Sequence, residues 1–274
     1  MISGDAVARI EARLSRLLAP PVGRLVQFVV DGEPVGFVTA DRADRLEDFP
    51  AIRRNADTLS LACAPNDRTA AMAEIAGRLA HEGALSAWRD ERYAVRTRFD
   101  APALFELERA AARYFGIRTY AAHVNGLVHA DDGIRMWLAR RSATKSIDPG
   151  LLDNLVGGGI ASGATVGATV IKESWEEAGI AAEIAAGAVN SAELTIFRQQ
   201  PDGIQHETIY AHDLWLPADW SPANQDGEAV EHRLASIADV ARIIAADVAP
   251  DVMTADASLV AFDCLTRLQV EAKR

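Results

Sequence analysis

The sequence predicts an α+β protein in two parts, an N-terminal α+β module over residues 1–115 and a larger domain over residues 116–274. Two observations support this division. Before Gly116, short β-rich runs alternate with helical apolar spacing, and that glycine interrupts the last of the predicted helices. After it, long β-rich runs flank one glycine-bounded helix, and two helical segments close the chain.

The N-terminal part begins with apolar residues at helical spacing over 5–18, which Pro20 and Pro21 bring to an end. Two β-rich runs around Asp31-Gly32 then predict a hairpin. The remaining predicted elements are a short helix before Pro50, strands over 57–63 and 92–99, and helices over 67–83 and 101–115.

The second part is predicted to contain mainly strands and late helices. Strands over 117–130 and 134–143 are joined by a turn at 131–133. A glycine loop followed by a helix occupies 157–180. The later elements are strands near 186–198 and 206–216, and helices over 236–246 and 255–270.

Composition indicates a globular protein, because 49% of its 274 residues are hydrophobic and 24% are charged. The net charge of −11 and a pI near 5.0 disfavour nonspecific nucleic-acid binding. No apolar run reaches the 18 or so residues of a membrane span, and the N-terminus lacks a signal-peptide core. Two distant cysteines indicate neither a disulfide framework nor a zinc site. We therefore expect a soluble cytoplasmic enzyme.

The segment 157–180 carries three acids on one helical face, since Glu176 and Glu177 follow Glu173 by three and four residues. Such like charges repel one another unless a cation lies between them. A solvated acidic face is the default interpretation of an isolated acid trio. The residues around these acids favour a different interpretation.

The segment resembles the Nudix box, whose pattern is G-x5-E-x7-R-E-U-x-E-E-x-G-U, where U is apolar. The residues in register with that pattern are Gly158, Glu173, Glu176, Glu177, Gly179 and Ile180.

Three positions depart from the box: Ala164 replaces a Glu, Lys172 replaces the Arg, and Ser174 replaces an apolar residue. The first two departures are explicable together, because the family's Glu and Arg pair across the loop–helix junction and an Arg fork suits a carboxylate. The metal-binding acids remain, so we interpret the box as a variant that retains function.

The runs TKSIDPGLLDNLVGGG (144–159) and NQDGEAVEHRL (224–234) resemble one Nudix branch that carries an added N-terminal module. Some members of that branch are linked to hydrolysis of thiamine diphosphate and its oxidised forms. The resemblance spans nearly the whole chain. It implies a Nudix α/β/α sandwich with a mixed sheet, preceded by the smaller α+β module.

The resemblance also implies a site. Glu173 and Glu177, with Glu176 and a backbone oxygen near Gly158, are the expected ligands of Mg²⁺, with Mn²⁺ as a substitute. The same three acids are the catalytic candidates, and which of them is the general base stays open. Lys145, Asn154 and Gly158 are the expected substrate-binding residues, although a solvated lysine and a turn-capping asparagine would explain the first two equally well.

Two further groups are weaker candidates. Glu228 and Glu231 lie where many Nudix proteins place another functional acid, and surface charge is the alternative. Six aromatic residues could stack on the organic part of a substrate, although aromatic residues in strands are more often core. They are Trp137, Trp175, Phe197, Tyr210, Trp215 and Trp220.

The leading hypothesis is a Mg²⁺-dependent Nudix diphosphate hydrolase that converts thiamine diphosphate-like compounds to the monophosphate and phosphate. A second hypothesis keeps the chemistry but changes the substrate to a nucleoside diphosphate derivative such as ADP-ribose. A third is a catalytically decayed Nudix protein that senses a ligand. The expected partner is a small diphosphate, without nucleic acid or membrane, and the sequence leaves the oligomeric state, including a homodimer, open.

Overall fold

The computed structural model describes residues 2–145, 147–248 and 250–272. Its helices are α1 Gly4–Leu17, α2 Ala40–Leu46, α3 Arg68–His81, α4 Val166–Ala178, α5 Ala182–Ala185, α6 Ile237–Ile244 and α7 Ala255–Glu271. The strands before Gly116 are β1 Leu25–Val30, β2 Glu33–Thr39, β3 Ile52–Asn55, β4 Thr58–Leu61, β5 Arg92–Val95 and β6 Phe105–Glu108. Those after it are β7 Arg118–Ala130, β8 Gly133–Arg141, β9 Leu152–Asn154, β10 Val156–Gly159, β11 Val189–Gln200, β12 Gly203–Trp215 and β13 Ala229–Ser236. Within these described ranges, no helix is both long enough and apolar enough to cross a membrane.

The N-terminal module is built on a four-stranded sheet of order β2-β1-β4-β3, in which β1 and β4 run parallel. Asp31 and Gly32 connect β1 to β2 with positive φ angles of 53° and 84°, which a tight hairpin turn of the type I′ kind requires. Strands β5 and β6 form a separate antiparallel ribbon. The sheet, α2, α3 and this ribbon share one apolar core that includes Phe28, Met72 and Leu107.

The second part is built on a seven-stranded mixed sheet of order β11-β12-β7-β8-β13, to which β10 adds beside β7 and β9 beside β8. Strands β12 and β7 are parallel, and the other pairs are antiparallel. Apolar residues of α4 pack on one face with Val124 of β7, and those of α6 and α7 pack on the other with Leu127. The predicted α+β class, with helices on both faces of a mixed sheet and a module before it, is confirmed.

Helix α1 packs in the core of the second part and not in that of the module. Its Ile10 and Leu14 are buried against α6 and α7. Arg13 is 3% exposed and donates hydrogen bonds to the carbonyls of Ile244 (3.0 Å) and Met253 (2.9 Å). The division at residue 115 stays a prediction, but the predicted module does not hold α1 in its own core.

The predicted helix over 101–115 is wrong. Residues Phe105–Glu108 form strand β6, which pairs with β5, and a single 3-10 turn follows at Arg109–Ala111. Phe105 and Leu107 alternate into the apolar core, so that tertiary pairing outweighs the helical propensity of the segment. Strands β9, β10 and β13 were not predicted, and the first part of the expected glycine loop is strand β10.

Substituting Arg13→Met should lower the free energy of unfolding by about 3 kcal/mol, because two buried carbonyls would lose their charged donor. Urea denaturation of the purified protein measures this change. Arg9→Met is the matched control, since Arg9 lies on the exposed side of α1 and should alter stability by no more than about 0.5 kcal/mol. Equal stabilities for the two variants would show that α1 is not anchored through Arg13.

Candidate active site

Local chemistry sets both ends of helix α4. The Thr165 hydroxyl accepts a hydrogen bond from the Ala168 amide (3.1 Å) and caps the first turn. Gly179 ends the helix with a φ of 68°, and its amide donates to the Trp175 carbonyl (2.9 Å). These caps fix where the helix begins and ends. Burial of Val170 and Ala178 in the core that contains Val156 of β10 fixes which face of the helix is turned toward that strand.

Two acids of α4 approach strand β10. Glu177, 8% exposed, accepts a hydrogen bond from the Gly157 amide at 2.8 Å. Glu173 lies one turn earlier against Gly158, where a Cβ atom would stand 2.4 Å from the Glu173 carboxyl carbon. Any side chain at position 158 would therefore collide with Glu173. This steric restriction explains why the box has glycine at position 158.

Glu176 contacts a different group. Its carboxylate accepts a hydrogen bond from the Lys172 ammonium at 2.6 Å, and the same ammonium donates to Glu173 at 3.0 Å. Lys172 thus pairs within its own helix, which is consistent with the absence of a box Glu at Ala164. Of the three acids, Glu176 has the most exposed side chain.

Lys145 lies opposite Glu177, with its ammonium nitrogen 3.8 Å from a Glu177 carboxylate oxygen, and it also pairs with Glu228. Burial raises the pKa of the Glu177 carboxyl well above its ordinary value, while the Lys145 charge and the Gly157 amide oppose that rise. Burial likewise lowers the pKa of Lys145. Positive charge close to Glu177 therefore favours its ionised form.

A cavity of about 220 Å³ lies between the N-terminal module and the second part of the chain. Gly157, Gly158 and Gly159 of β10 line it, whereas the three acids of α4 lie behind that strand and do not line it. Basic side chains come from both parts of the chain: Arg89, Arg109, Arg113, Arg141 and Lys145. Acidic side chains also line it: Asp148, Asp153, Asp202, Glu207, Glu228 and Asp256.

Two of the three predicted substrate-binding residues lie at the cavity, and the third is buried elsewhere. Lys145 and Gly158 line the cavity. Asn154 does not, because it is 1% exposed and its amide is bonded to His123 (2.8 Å) and Asn125 (3.1 Å). This burial does not support a substrate contact for Asn154, and it explains the residue as an interior hydrogen-bonding group.

Of the weaker candidates, the two acids Glu228 and Glu231 and the six aromatic residues, only Glu228 lies at the cavity. Glu228 lines the cavity beside Lys145, while Glu231 pairs with Arg140 on the surface (2.7 Å). Among the described residues that line the cavity, none of the six aromatic candidates is found. Trp215, for example, stacks on His129 with 4.1 Å between ring centroids.

Sequence reasoning missed the contribution of the N-terminal module to this cavity. Arg89, Tyr93, Arg109 and Arg113 belong to no motif, and they reach the cavity only because the module packs beside β10. The resemblance of nearly the whole chain to a Nudix branch with an added N-terminal module was the one signal that pointed to this region.

The oxygen donors near β10 fit a hard divalent cation. Within residues 2–145, 147–248 and 250–272, no three histidine, cysteine or acidic side chains form a ready set of ligands. However, Mg²⁺ commonly uses one or two carboxylates and completes its shell with water and substrate phosphates. Glu173 and Glu177, which approach neighbouring residues of one strand, meet that requirement.

Two family patterns cover most of the chain. The NUDIX domain matches residues 119–255, half of the sequence, and a domain of unknown function, DUF4743, matches residues 16–119. The chain is 36% identical over 259 residues to Nudix hydrolase 20, chloroplastic, of Arabidopsis thaliana, covering 90% of this chain and 68% of that protein. The chain belongs to the Nudix hydrolase family. It is therefore a Nudix-type diphosphate hydrolase with an N-terminal DUF4743 module.

The chain is also similar to a second plant protein and to a solved NUDIX domain. Nudix hydrolase 24, chloroplastic, of Arabidopsis thaliana is 36% identical over 81% of this chain and 63% of its own length. This Nudix hydrolase thus spans about two thirds of either plant relative. The NUDIX domain of Shewanella oneidensis NrtR, solved with ADP ribose, has a TM-score of 0.45 and 13% identity over 56% of this chain and 90% of its own. That likeness is too distant to indicate a shared ligand.

Substituting Gly158→Ala should lower kcat at least about tenfold, because the added methyl group would displace the Glu173 carboxylate from β10. Steady-state hydrolysis of a diphosphate substrate measures the change. Gly167→Ala is the control: it lies on exposed α4 surface with no atom near its added methyl group. That control should retain activity and gain up to about 1 kcal/mol of stability. Wild-type kcat in Gly158→Ala would contradict the steric account.

Proposed function

We propose that this Nudix hydrolase cleaves the diphosphate of thiamine diphosphate-like compounds in a Mg²⁺-dependent reaction that yields the monophosphate and phosphate. One observation carries the proposal: Glu173 and Glu177 converge on β10 beside a cavity that basic side chains line. Acids for a divalent cation and cations for a diphosphate are thereby close to one another.

In this proposal the basic side chains bind and orient the diphosphate. Arg141 forms an ion pair with Asp153 (2.7 Å) at the cavity wall, which holds its guanidinium in place. Lys145 faces the cavity from beside Glu177 and can contact a phosphoryl oxygen as a point charge. These groups can contact phosphoryl oxygens directly, although acidic side chains line the same cavity and the protein as a whole is acidic.

Glu173 and Glu177 would hold the cation, with Glu176 close by on the same helix. A bound divalent cation supplies neutralisation of phosphoryl charge and a more acidic water molecule. The backbone of β10 keeps Glu177 oriented through the Gly157 amide. Burial of Glu177 behind that strand excludes bulk water from one side of the site.

One acid of the cavity lining, Glu207, supports a substrate with a positively charged organic group, such as a thiazolium ring. Glu207 is bonded to neutral partners, the Thr119 hydroxyl (2.9 Å) and the Gln205 amide (3.0 Å). Thr119 lies four residues before His123 on β7, so it is about 13 Å along that strand from the residue that pairs with Gly157. ADP-ribose carries no fixed cation that would match such a site.

Ligand binding with little turnover is the second candidate. Lys172 pairs with both Glu173 and Glu176, and these ion pairs compete with metal binding by the same carboxylates. Ala164 also removes one acid of the box.

Incubation with thiamine diphosphate or ADP-ribose, in Mg²⁺, Mn²⁺ or a chelator, separates these functions when the products are resolved. We expect thiamine diphosphate to yield thiamine monophosphate and phosphate with Mg²⁺ or Mn²⁺, and no product with the chelator. Turnover of ADP-ribose only would overturn the substrate assignment. Thermal stabilisation by a ligand without any phosphate release would favour the sensor.

Substituting Glu177→Gln should lower turnover at least about a hundredfold, because it removes a negative charge from the proposed metal ligands. Stability without divalent cations should hold or rise slightly, since the amide oxygen can still accept from Gly157, a buried charge and its acidic repulsion are removed, and Lys145 keeps its ion pair with Glu228. Enzyme assays and urea denaturation measure the two quantities. Glu183→Gln, at an exposed position of α5, should change neither. Turnover near the wild-type rate in Glu177→Gln would exclude α4 as the catalytic helix.

A further inference from the structure

Tyr93 places a polar group of the N-terminal module at the cavity. It belongs to strand β5, is 7% exposed, and lines the cavity. Its hydroxyl oxygen lies beside β10, since a Cβ atom at Gly159 would stand 2.2 Å from it. The hydroxyl therefore points at the strand that Glu173 and Glu177 approach from the other side.

The Tyr93 hydroxyl has no hydrogen-bond partner in the part of the chain that the structure describes. Since Tyr93 lines the cavity, its hydroxyl is open to a ligand there, and tyrosine hydroxyls in largely apolar surroundings usually have a hydrogen-bond partner. A ligand in the cavity would supply the missing acceptor.

Two basic side chains near Tyr93 can share an anionic acceptor with its hydroxyl, although Glu91 and Glu207 are also near. The Arg109 guanidinium lies 5.7 Å from the centre of the Tyr93 ring and is held by Glu91 at 2.6 Å. Arg113 lines the same wall of the cavity. Burial, together with the charge of Glu207, raises the pKa of Tyr93, so its hydroxyl remains a donor at neutral pH. A protonated donor in the same cavity as the Arg109 and Arg113 guanidinium groups suits a phosphoryl oxygen.

We propose that the N-terminal module completes the active site and that the Tyr93 hydroxyl donates a hydrogen bond to an oxygen of the substrate diphosphate. This inference rests on the proposed function for its substrate class. Tyr93 is then a substrate-binding residue on the wall opposite α4, and the module takes part in recognition of the diphosphate whichever organic group the substrate carries.

The experiment compares wild type, Tyr93→Phe and Tyr114→Phe. The first substitution removes only the hydroxyl, and because that hydroxyl has no protein partner the melting temperature should be unchanged. Tyr114 is a matched control, since it is 5% exposed, belongs to the same module and does not line the cavity. Steady-state hydrolysis of thiamine diphosphate with Mg²⁺ gives kcat and KM for each protein.

Tyr93→Phe should raise KM about tenfold with kcat within about twofold of wild type, as expected for loss of a hydrogen bond to a charged, non-reacting group. Tyr114→Phe should match wild type. Calorimetric titration should show weaker binding of thiamine diphosphate and of inorganic pyrophosphate to Tyr93→Phe, but equal binding of thiamine, which has no phosphate.

Other outcomes overturn one proposal or both. If wild type is active and Tyr93→Phe has the same KM, the hydrogen bond does not exist and the proposed function stands. If wild type hydrolyses neither thiamine diphosphate nor ADP-ribose, the proposed function fails, and the titrations alone decide the role of Tyr93. Equal pyrophosphate affinity in both proteins, or no pyrophosphate binding by wild type, would overturn the inference.

Discussion

The close approach of three side chains to one strand depends on consecutive glycines in β10. Gly157 donates its amide to Glu177, and Gly158 leaves room for the Glu173 carboxyl group. Gly159 leaves room for the Tyr93 hydroxyl on the side of the module. A side chain at position 158 or 159 would push an acid or the tyrosine away, so the VGGG sequence sets both the helix–strand distance and the packing of the module.

The cavity gathers basic side chains within an acidic protein, although acidic side chains line it as well. The protein carries a net charge of −11, yet arginine side chains from both parts of the chain meet around one small space. Several of them are fixed by ion pairs, such as Arg109 with Glu91 and Arg141 with Asp153. Preorganised guanidinium groups lose less conformational entropy on binding an anion than free ones. The composition of the chain disfavours a nucleic-acid-binding surface, but it does not reveal a small cavity lined by basic side chains.

The features that the sequence predicted correctly depend on short-range chemistry. The hairpin at Asp31-Gly32 and the C-terminal end of α4 at Gly179 need positive φ angles that the local residues supply. The strand at Phe105–Glu108 was missed because its pairing with β5 and its burial are tertiary effects. Helical propensity alone therefore gave the wrong element.

The site could be predicted only in part, for a similar reason. The box identified Glu173, Glu177 and Gly158 by their spacing. Because residues four apart lie on the same face of a helix, the spacing of Glu173 and Glu177 predicts their relative positions in the structure. Tyr93 lies far from the box in sequence and reaches β10 only through packing of the module. The sequence does not distinguish Asn154 from a substrate-binding asparagine. Only its hydrogen bonds to His123 and Asn125 identify it as an interior residue.

A crystal structure of the protein with Mn²⁺ and a non-hydrolysable imidodiphosphate analogue of thiamine diphosphate tests the central claim most directly. The anomalous signal of manganese locates the cation independently of the protein atoms. We expect manganese bound by carboxylate oxygens of Glu173 and Glu177 beside Gly158, with the analogue in the cavity that Tyr93 and Arg141 line. Manganese bound elsewhere, with these two carboxylates still paired to Lys172 and Lys145, would contradict it.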